Sequence, residues 1–324
     1  MYRSDRYARV NHSDFGPTLL IVCTGVALGT LMACNRGQNK TASNTTASAV
    51  APQAAVAGDV LDTTSKIPVI VTLASAQDAY EKRQYHEATE ALEVYVLDHA
   101  NNAFGHYMLG LSAWKAGDLD KARSAFERSL AIDSTNVKTL LNLGRVLLDQ
   151  GKVGDAIARI STAVALDSNS AEVHRMMGRV QASRGERDSA MTSYRVALSM
   201  DPADSWSMNN LGLLLIEQGR YEEALMPLAR AVELRPEAPA FANNLGIALE
   251  RSGHPSAAAE AYRSALKADS TYTKAAASLA RVDGKTDSTT VDVSGLAAAF
   301  NLEIQTAREA RVMAKKPDST KVPE

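Results

Sequence analysis

Cysteine is almost missing from this 324-residue chain; the two present, Cys23 and Cys34, lie near the N-terminus, so no disulfide staples the rest. Aromatic residues amount to 5%, which suits a core of Leu, Ala and Val between helices and argues against a large mixed sheet. Neither sign of charge dominates: 35 Lys and Arg face 37 Asp and Glu, for a net charge of −2. No basic stripe marks a nucleic-acid partner. The one prominent apolar run, Leu19 to Ala33, has fifteen residues, too few to span a bilayer comfortably. Catalytic patterns are missing too. There is no H-E-x-x-H, C-x-x-C, G-x-S-x-G or phosphate-cradling glycine loop, and His86, His99, His106, His174 and His254 follow no metal-ligand spacing. No catalytic residue, metal or cofactor is therefore expected.

What the chain does have is a period. NNLGLLLIEQGRYEEAL at 209–225 is answered by NNLGIALERSGHPSAAA at 243–259, a spacing of 34 residues. Gly110, Gly144, Gly178, Gly212 and Gly246 share one phase, and Gly117, Gly151, Gly185, Gly219 and Gly253 follow seven residues later. A third phase holds Ala88, Ala122, Ala156, Ala190, Ala224 and Ala258 without exception. Small residues at fixed phase mark close helix contacts, and the second glycine supplies a turn. Four residues after the alanine stands a large apolar residue: Phe126, Ile160, Tyr194, Leu228 or Tyr262. A gapless period of this length predicts stacked helix-turn-helix units, hence one all-α solenoid despite a length that could make two globular domains.

The run His106-x2-Leu109-Gly110-x2-Ala113 followed by Ala122-x3-Phe126 resembles the tetratricopeptide repeat family. That resemblance implies a right-handed solenoid within residues 67–282, with repeats at 69–102, 103–136, 137–170, 171–204, 205–238 and 239–272. Each repeat contributes a helix A over about its first fourteen positions and a helix B from about position eighteen. The first unit departs most, with Ser75-Ala76 for the Leu-Gly pair and Arg83 where a turn glycine would stand. The closing proline survives only as Pro202 and Pro236. Ser134, Ser168 and Ser270 replace it, and looser junctions are expected there. Pro239 and Pro255 fall at helix starts, whereas Pro227 lies inside a helix B and is expected to kink it or shift its start. Residues 273–282 read as a capping helix A. After a polar break, Val293, Leu296, Phe300, Ile304 and Ala307 keep helical spacing, which predicts an amphipathic helix over about 294–314 and a disordered tail. That helix either packs on the solenoid, occupies its groove or docks on a partner.

Arg3, Arg6 and Arg9 precede the apolar run, which ends in Leu31-Met32-Ala33-Cys34 and resembles the lipobox of bacterial lipoproteins. The resemblance implies a signal peptide at 1–33 and acyl chains on Cys34; an ordinary signal peptide or a short anchor is the alternative. Two or more acyl chains hold a protein stably on a membrane. Asn35, rather than aspartate, after the cysteine favours the outer membrane on the same resemblance. Residues 34–66, rich in Ala, Thr, Ser and Asn, read as a flexible tether of roughly 30 Å.

In the tetratricopeptide family, helix A lines the concave face with repeat positions two, five, six, nine, twelve and thirteen. Here those positions carry Phe104, Tyr107 and Trp114, then Arg145, Arg175 and Arg179, then Trp206, Asn209, Asn210, Asn243 and Asn244. Asn210 and Asn244 are expected to hold a peptide backbone, the arginines an acidic residue and the aromatics an apolar one. Arg175 and Asn210 fit the family's carboxylate-binding scheme, while Arg179, Ala240 and Asn244 depart from it. The expectation is a membrane-tethered, non-catalytic scaffold facing the periplasm of a bacterial envelope. It would bind a peptide or helix of a partner during assembly of a pilus, secretion or cell-wall complex. The alternative is an accessory subunit recruiting an envelope enzyme such as a peptidoglycan hydrolase.

Overall fold

The computed structural model describes residues 72–314 other than 288. The expected signal peptide, Cys34, the tether and the tail from 315 onward lie outside the described residues. Those described form fourteen α-helices and no strand. Six antiparallel pairs come first: α1 (Leu73–Glu81) with α2 (Tyr85–Asp98), α3 (Ala103–Ala116) with α4 (Leu119–Ile132), and α5 (Val137–Asp149) with α6 (Val153–Leu166). Next come α7 (Ala171–Ser183) with α8 (Arg187–Met200), α9 (Ser205–Glu217) with α10 (Tyr221–Leu234), and α11 (Pro239–Arg251) with α12 (Pro255–Ala268). The capping helix α13 spans Thr273–Val282 and the final helix α14 spans Val293–Ala314.

The glycine and alanine phases do the work expected of them. A Cβ on Gly110, Gly144, Gly178 or Gly246 would come within 2.5 to 2.7 Å of Phe126, Ile160, Tyr194 or Tyr262, and one on Gly212 would meet Leu228 as closely. Each glycine thus seats the large apolar residue of its own helix B. All six alanines of the third phase are fully buried. At the turn, Gly117 has φ +90°, and in the first repeat Arg83 takes the same left-handed conformation at φ 64°. Helix A of that repeat is correspondingly short. It begins at Leu73, capped by Thr72, instead of filling fourteen positions from 69.

The junctions without a closing proline hold the same turn as the one with Pro202. Asp133, Asp167 and Asp269 each accept the backbone N–H two residues on, at 2.9 to 3.2 Å, as Asp201 does in the junction that has Pro202. An Asx-turn thus forms at these aspartates with or without the proline. Asn102, Asn136, Ser170 and Asp204 then cap the following A helices through side-chain oxygens. Pro227 does not shift the start of α10, which begins in the same phase as the other B helices, and its ring is buried.

Successive A helices touch one another along the stack, whereas successive B helices do not. The stack therefore curves with A helices on the inside and B helices on the outside. Helix α14 packs against α8 and α10, both B helices, so it lies on the convex side and leaves the inner groove open. Phe300, Ile304 and Ala297 are its buried face, and Arg230 Nη2 of α10 reaches Asn301 Oδ1 at 3.3 Å. On the way there, the Asp287 carboxylate accepts from the N–H groups of Ser256 and Ala257. It caps α12, whose own N-cap residue His254 makes no side-chain cap.

Candidate binding groove

Helix α3 forms the aromatic end of the concave face. Phe104 is 47% exposed and stacks on Tyr107 with ring centroids 6.0 Å apart; Tyr107 in turn leans on the buried Phe126 at 5.9 Å. Trp114 donates from Nε1 to Asp149 Oδ2 at 2.9 Å, and the Lys115 ammonium lies 4.8 Å from its ring centroid. Phe104 and Trp114 are thus available to a ligand, with Tyr107 as their support.

The centre is charged. Arg145 donates to Asn142 Oδ1 at 2.6 Å and to Glu172 Oε1 at 2.6 Å. Arg175 donates to Asp204 Oδ1 at 2.8 Å and lies 3.8 Å from Glu172. Asp204 is also the N-cap of α9 and accepts from Ser207 Oγ at 2.6 Å, so Arg175 is locked to a buried structural carboxylate. The three arginines are thus not equivalent: Arg175 is paired within the fold and Arg145 is shared with Glu172. Arg179 differs. Among the described residues it has no carboxylate within ion-pair distance, and its Nη1 lies 3.8 Å from Met176 Sδ. Burial, then the neighbouring Arg145, hold its guanidinium below the ordinary value. The half-buried Lys115 ammonium is pushed down by burial and again by Arg145. Sequence reasoning missed Lys115 and Glu172, although they stand at concave positions thirteen and two, because aromatic and arginine residues drew the reading.

The asparagine row is also engaged differently from expectation. Asn244 Nδ2 donates to Asn209 Oδ1 at 2.8 Å, and Asn209 Nδ2 to Asn210 Oδ1 at 3.4 Å. Asn142 donates to the Tyr107 hydroxyl at 3.2 Å, and Asn210 bonds the hydroxyl of Tyr194, whose ionisation burial pushes up. Asn244 and Asn142 thus tie adjacent A helices together and Asn210 ties α9 to α8, so a peptide backbone meets only their remaining donors and acceptors. Trp206, 40% exposed, stands edge-on to Phe241 at 5.0 Å with the Arg235 guanidinium 5.7 Å from its ring. It is the exposed anchor of the other end.

Histidines serve structure. His106 Nε2 and His174 Nε2 each sit 3.0 Å from a carbonyl oxygen of the preceding junction, Ala100 and Ser168. Among the described residues no group of three or more His, Cys, Asp or Glu gathers to hold a metal, and no helix is long and apolar enough to cross a membrane.

Three family profiles, each described as tetratricopeptide repeat, match residues 113–180, residues 162–237, and residues 73–137 with 209–281. Comparison with curated proteins finds no significant match. Among solved structures, PilF of Pseudomonas aeruginosa is 19% identical with a TM-score of 0.51, over 67% of this chain and 99% of that one. A chain of the Cut9–Hcn1 hetero-tetramer of the APC/C is 16% identical with a TM-score of 0.58, over 65% of this chain and 42% of that one. MamA is 26% identical with a TM-score of 0.44, over 53% of this chain and 94% of that one. The first two share the fold. With the profiles running unbroken from 73 to 281, more than half of its length, the chain belongs to the tetratricopeptide repeat family.

Proposed function

We propose that this protein is a non-catalytic scaffold, lipid-anchored through Cys34 to a bacterial envelope membrane and facing the periplasm, that holds a peptide or helix of a partner protein on its concave face. The observation that carries the binding reading is the inner face itself. It is left open by α14 and bears an exposed aromatic anchor at each end, Phe104 and Trp206, on either side of a cationic centre. Aromatic anchors on a rigid wall are the usual energetic centres of an interface. The envelope reading is supported by the Leu31-Met32-Ala33-Cys34 run and the tether after it.

A pull-down from detergent-solubilised envelope with the full chain tests this reading, with the Phe104→Ala, Trp206→Ala double variant as control. A partner retained by the native protein and lost with the variant supports it; a partner retained equally by both moves the site off the concave face. For the anchor, Cys34→Ser is expected to shift the protein out of the detergent-extractable membrane fraction or leave it unprocessed. Unchanged processing and fractionation would refute lipidation.

A further inference from the structure

Helix α14 is apolar on two sides. Ala297, Phe300 and Ile304 fill one of them against α8 and α10, which among the described residues are the only helices that touch it. On the opposite side Ala299, Leu302, Thr306, Ala310 and Met313 stand 3, 4, 4 and 3 residues apart, which at about 3.6 residues per turn makes one stripe along the helix. All five are exposed, Leu302 at 69% and Met313 at 71%. Ala299, Leu302, Thr306 and Ala310 line an open apolar depression with Glu303 and Ala307 beside them. A helix that is apolar on both sides is covered on both in a stable assembly, and this stripe points away from the solenoid.

The order of sizes along the stripe identifies what covers it. Counted outward from Thr306, Leu302 on one arm answers Ala310 on the other, and Met313 answers Ala299. A second α14 laid antiparallel about a two-fold axis at Thr306 therefore sets Leu302 against the partner's Ala310 and Met313 against the partner's Ala299. Large meets small at each step from the axis, the self-complementarity that an isologous interface requires. A parallel pair would instead set leucine on leucine and leave the alanines facing a gap. Charge agrees with pairing of like copies, since Glu303 and Glu309 balance Arg308 and Arg311 within the helix and a second copy brings no net repulsion.

We infer that the outer face of α14 is a homodimer interface, in which two copies of this chain pair antiparallel through Ala299, Leu302, Thr306, Ala310 and Met313 about a two-fold axis at Thr306. Because α14 lies on the convex side, both inner grooves stay open in the pair. The dimer is then bivalent, and a target with two ligand segments meets the second groove at high effective concentration. The interface itself does not depend on what the groove binds.

Sedimentation equilibrium of the full chain in density-matched detergent, over a concentration series, reads the association. The expected result is a monomer–dimer equilibrium with a dissociation constant on the order of micromolar, since a single helix pair lies at the small end of specific interfaces. Leu302→Glu should weaken it by about tenfold or more, because a carboxylate would enter an apolar contact. Leu302→Ala and Ala310→Leu should each weaken it, one by a gap and the other by a clash, while the double variant restores it with the two sizes exchanged. Both side chains are exposed in the single copy, so thermal unfolding should be unchanged in all four variants. In a Thr306→Cys chain a short bismaleimide should link two copies beyond whatever Cys23 and Cys34 give in the parent chain. A monomer throughout the series, a dimer that survives Leu302→Glu, a double variant no better than the single ones, or no added link at Thr306→Cys overturns the inference. A monomer that captures a different protein through Leu302 overturns it as well, and gives the stripe to that protein.

Discussion

The ring of Tyr194 lies on Gly178 while its hydroxyl bonds Asn210 beside Arg179, so one side chain spans the packing between two helices and the wall of the groove. The other tyrosine of this phase bonds within its own repeat, the Tyr262 hydroxyl donating to Glu250 Oε2 at 2.9 Å. Glycine is required opposite such rings for space, since an added Cβ would lie 2.7 Å from Tyr194. Gly178→Ala is therefore expected to cost about 1 to 3 kcal/mol by overpacking. Gly154, in the first turn of α6, has nothing within 4 Å of its added Cβ, and Gly154→Ala should raise stability by about 0.5 to 1 kcal/mol through backbone entropy. Thermal unfolding of the two variants separates these cases; equal shifts would refute the packing role of the phase. Both roles could be anticipated from residue type and period, but the tyrosine hydroxyl's partner could not, because it comes from the next repeat.

Helix α14 is the element whose place was open in the sequence. Its buried stripe of Ala297, Phe300 and Ile304 answers buried Leu225 and Ala229 on α10. In the other repeats the phase of Ala229 is taken by Glu93, Glu127, Ser161, Arg195 and Arg263, residues suited to a solvated convex face. That local loss of charge was a legible sign that something covers α10, and it went unread because the concave positions held the attention. Phe300→Ala should cost about 3 to 5 kcal/mol of docking energy. Amide exchange is expected to rise over 293–304 and on the outer side of α10 while the solenoid keeps its helicity. Unchanged protection in 293–304 would mean that the helix is held by something other than this stripe. Its outer side carries Leu302 at 69% exposure, so docking does not use the whole helix.

At the scale of the molecule, the buried apolar core falls into two clusters. One runs from Ala76 to Val180 and the other from Ala190 to Ile304, yet α7 and α8 stay tightly paired through Gly178 and Tyr194. Here Gln181, which accepts from Ser193 Oγ at 2.6 Å, takes the place filled by Ala113, Leu147, Leu215 and Leu249 in other repeats. In a stack whose stability is a sum of repeats and their interfaces, the two ends can differ in local stability. Helices α8 to α14 have a capping helix and α14 across their outside, while the first repeat has a short α1 and a strained Arg83. Hydrogen exchange in mild denaturant is expected to open α1 to α4 at lower free energy than α9 to α12. Equal opening free energies at the two ends, or the reverse order, would contradict this difference.

Six helix pairs, their phases, the turn glycines and the capping helix follow from the 34-residue period alone, since each repeat must bury the same face against its neighbours and small residues can stand only where helices approach. The concave positions followed from the same period. Which of their side chains remain free did not, because Asp204, Glu172 and Asp149 lie 27 to 35 residues along the chain from the groups they engage, distances closed only by stacking. The side taken by α14 was likewise a tertiary decision. An amphipathic stripe records that a helix must be covered, and only the apolar gap between α8 and α10, which exists once the solenoid has curved, says by what.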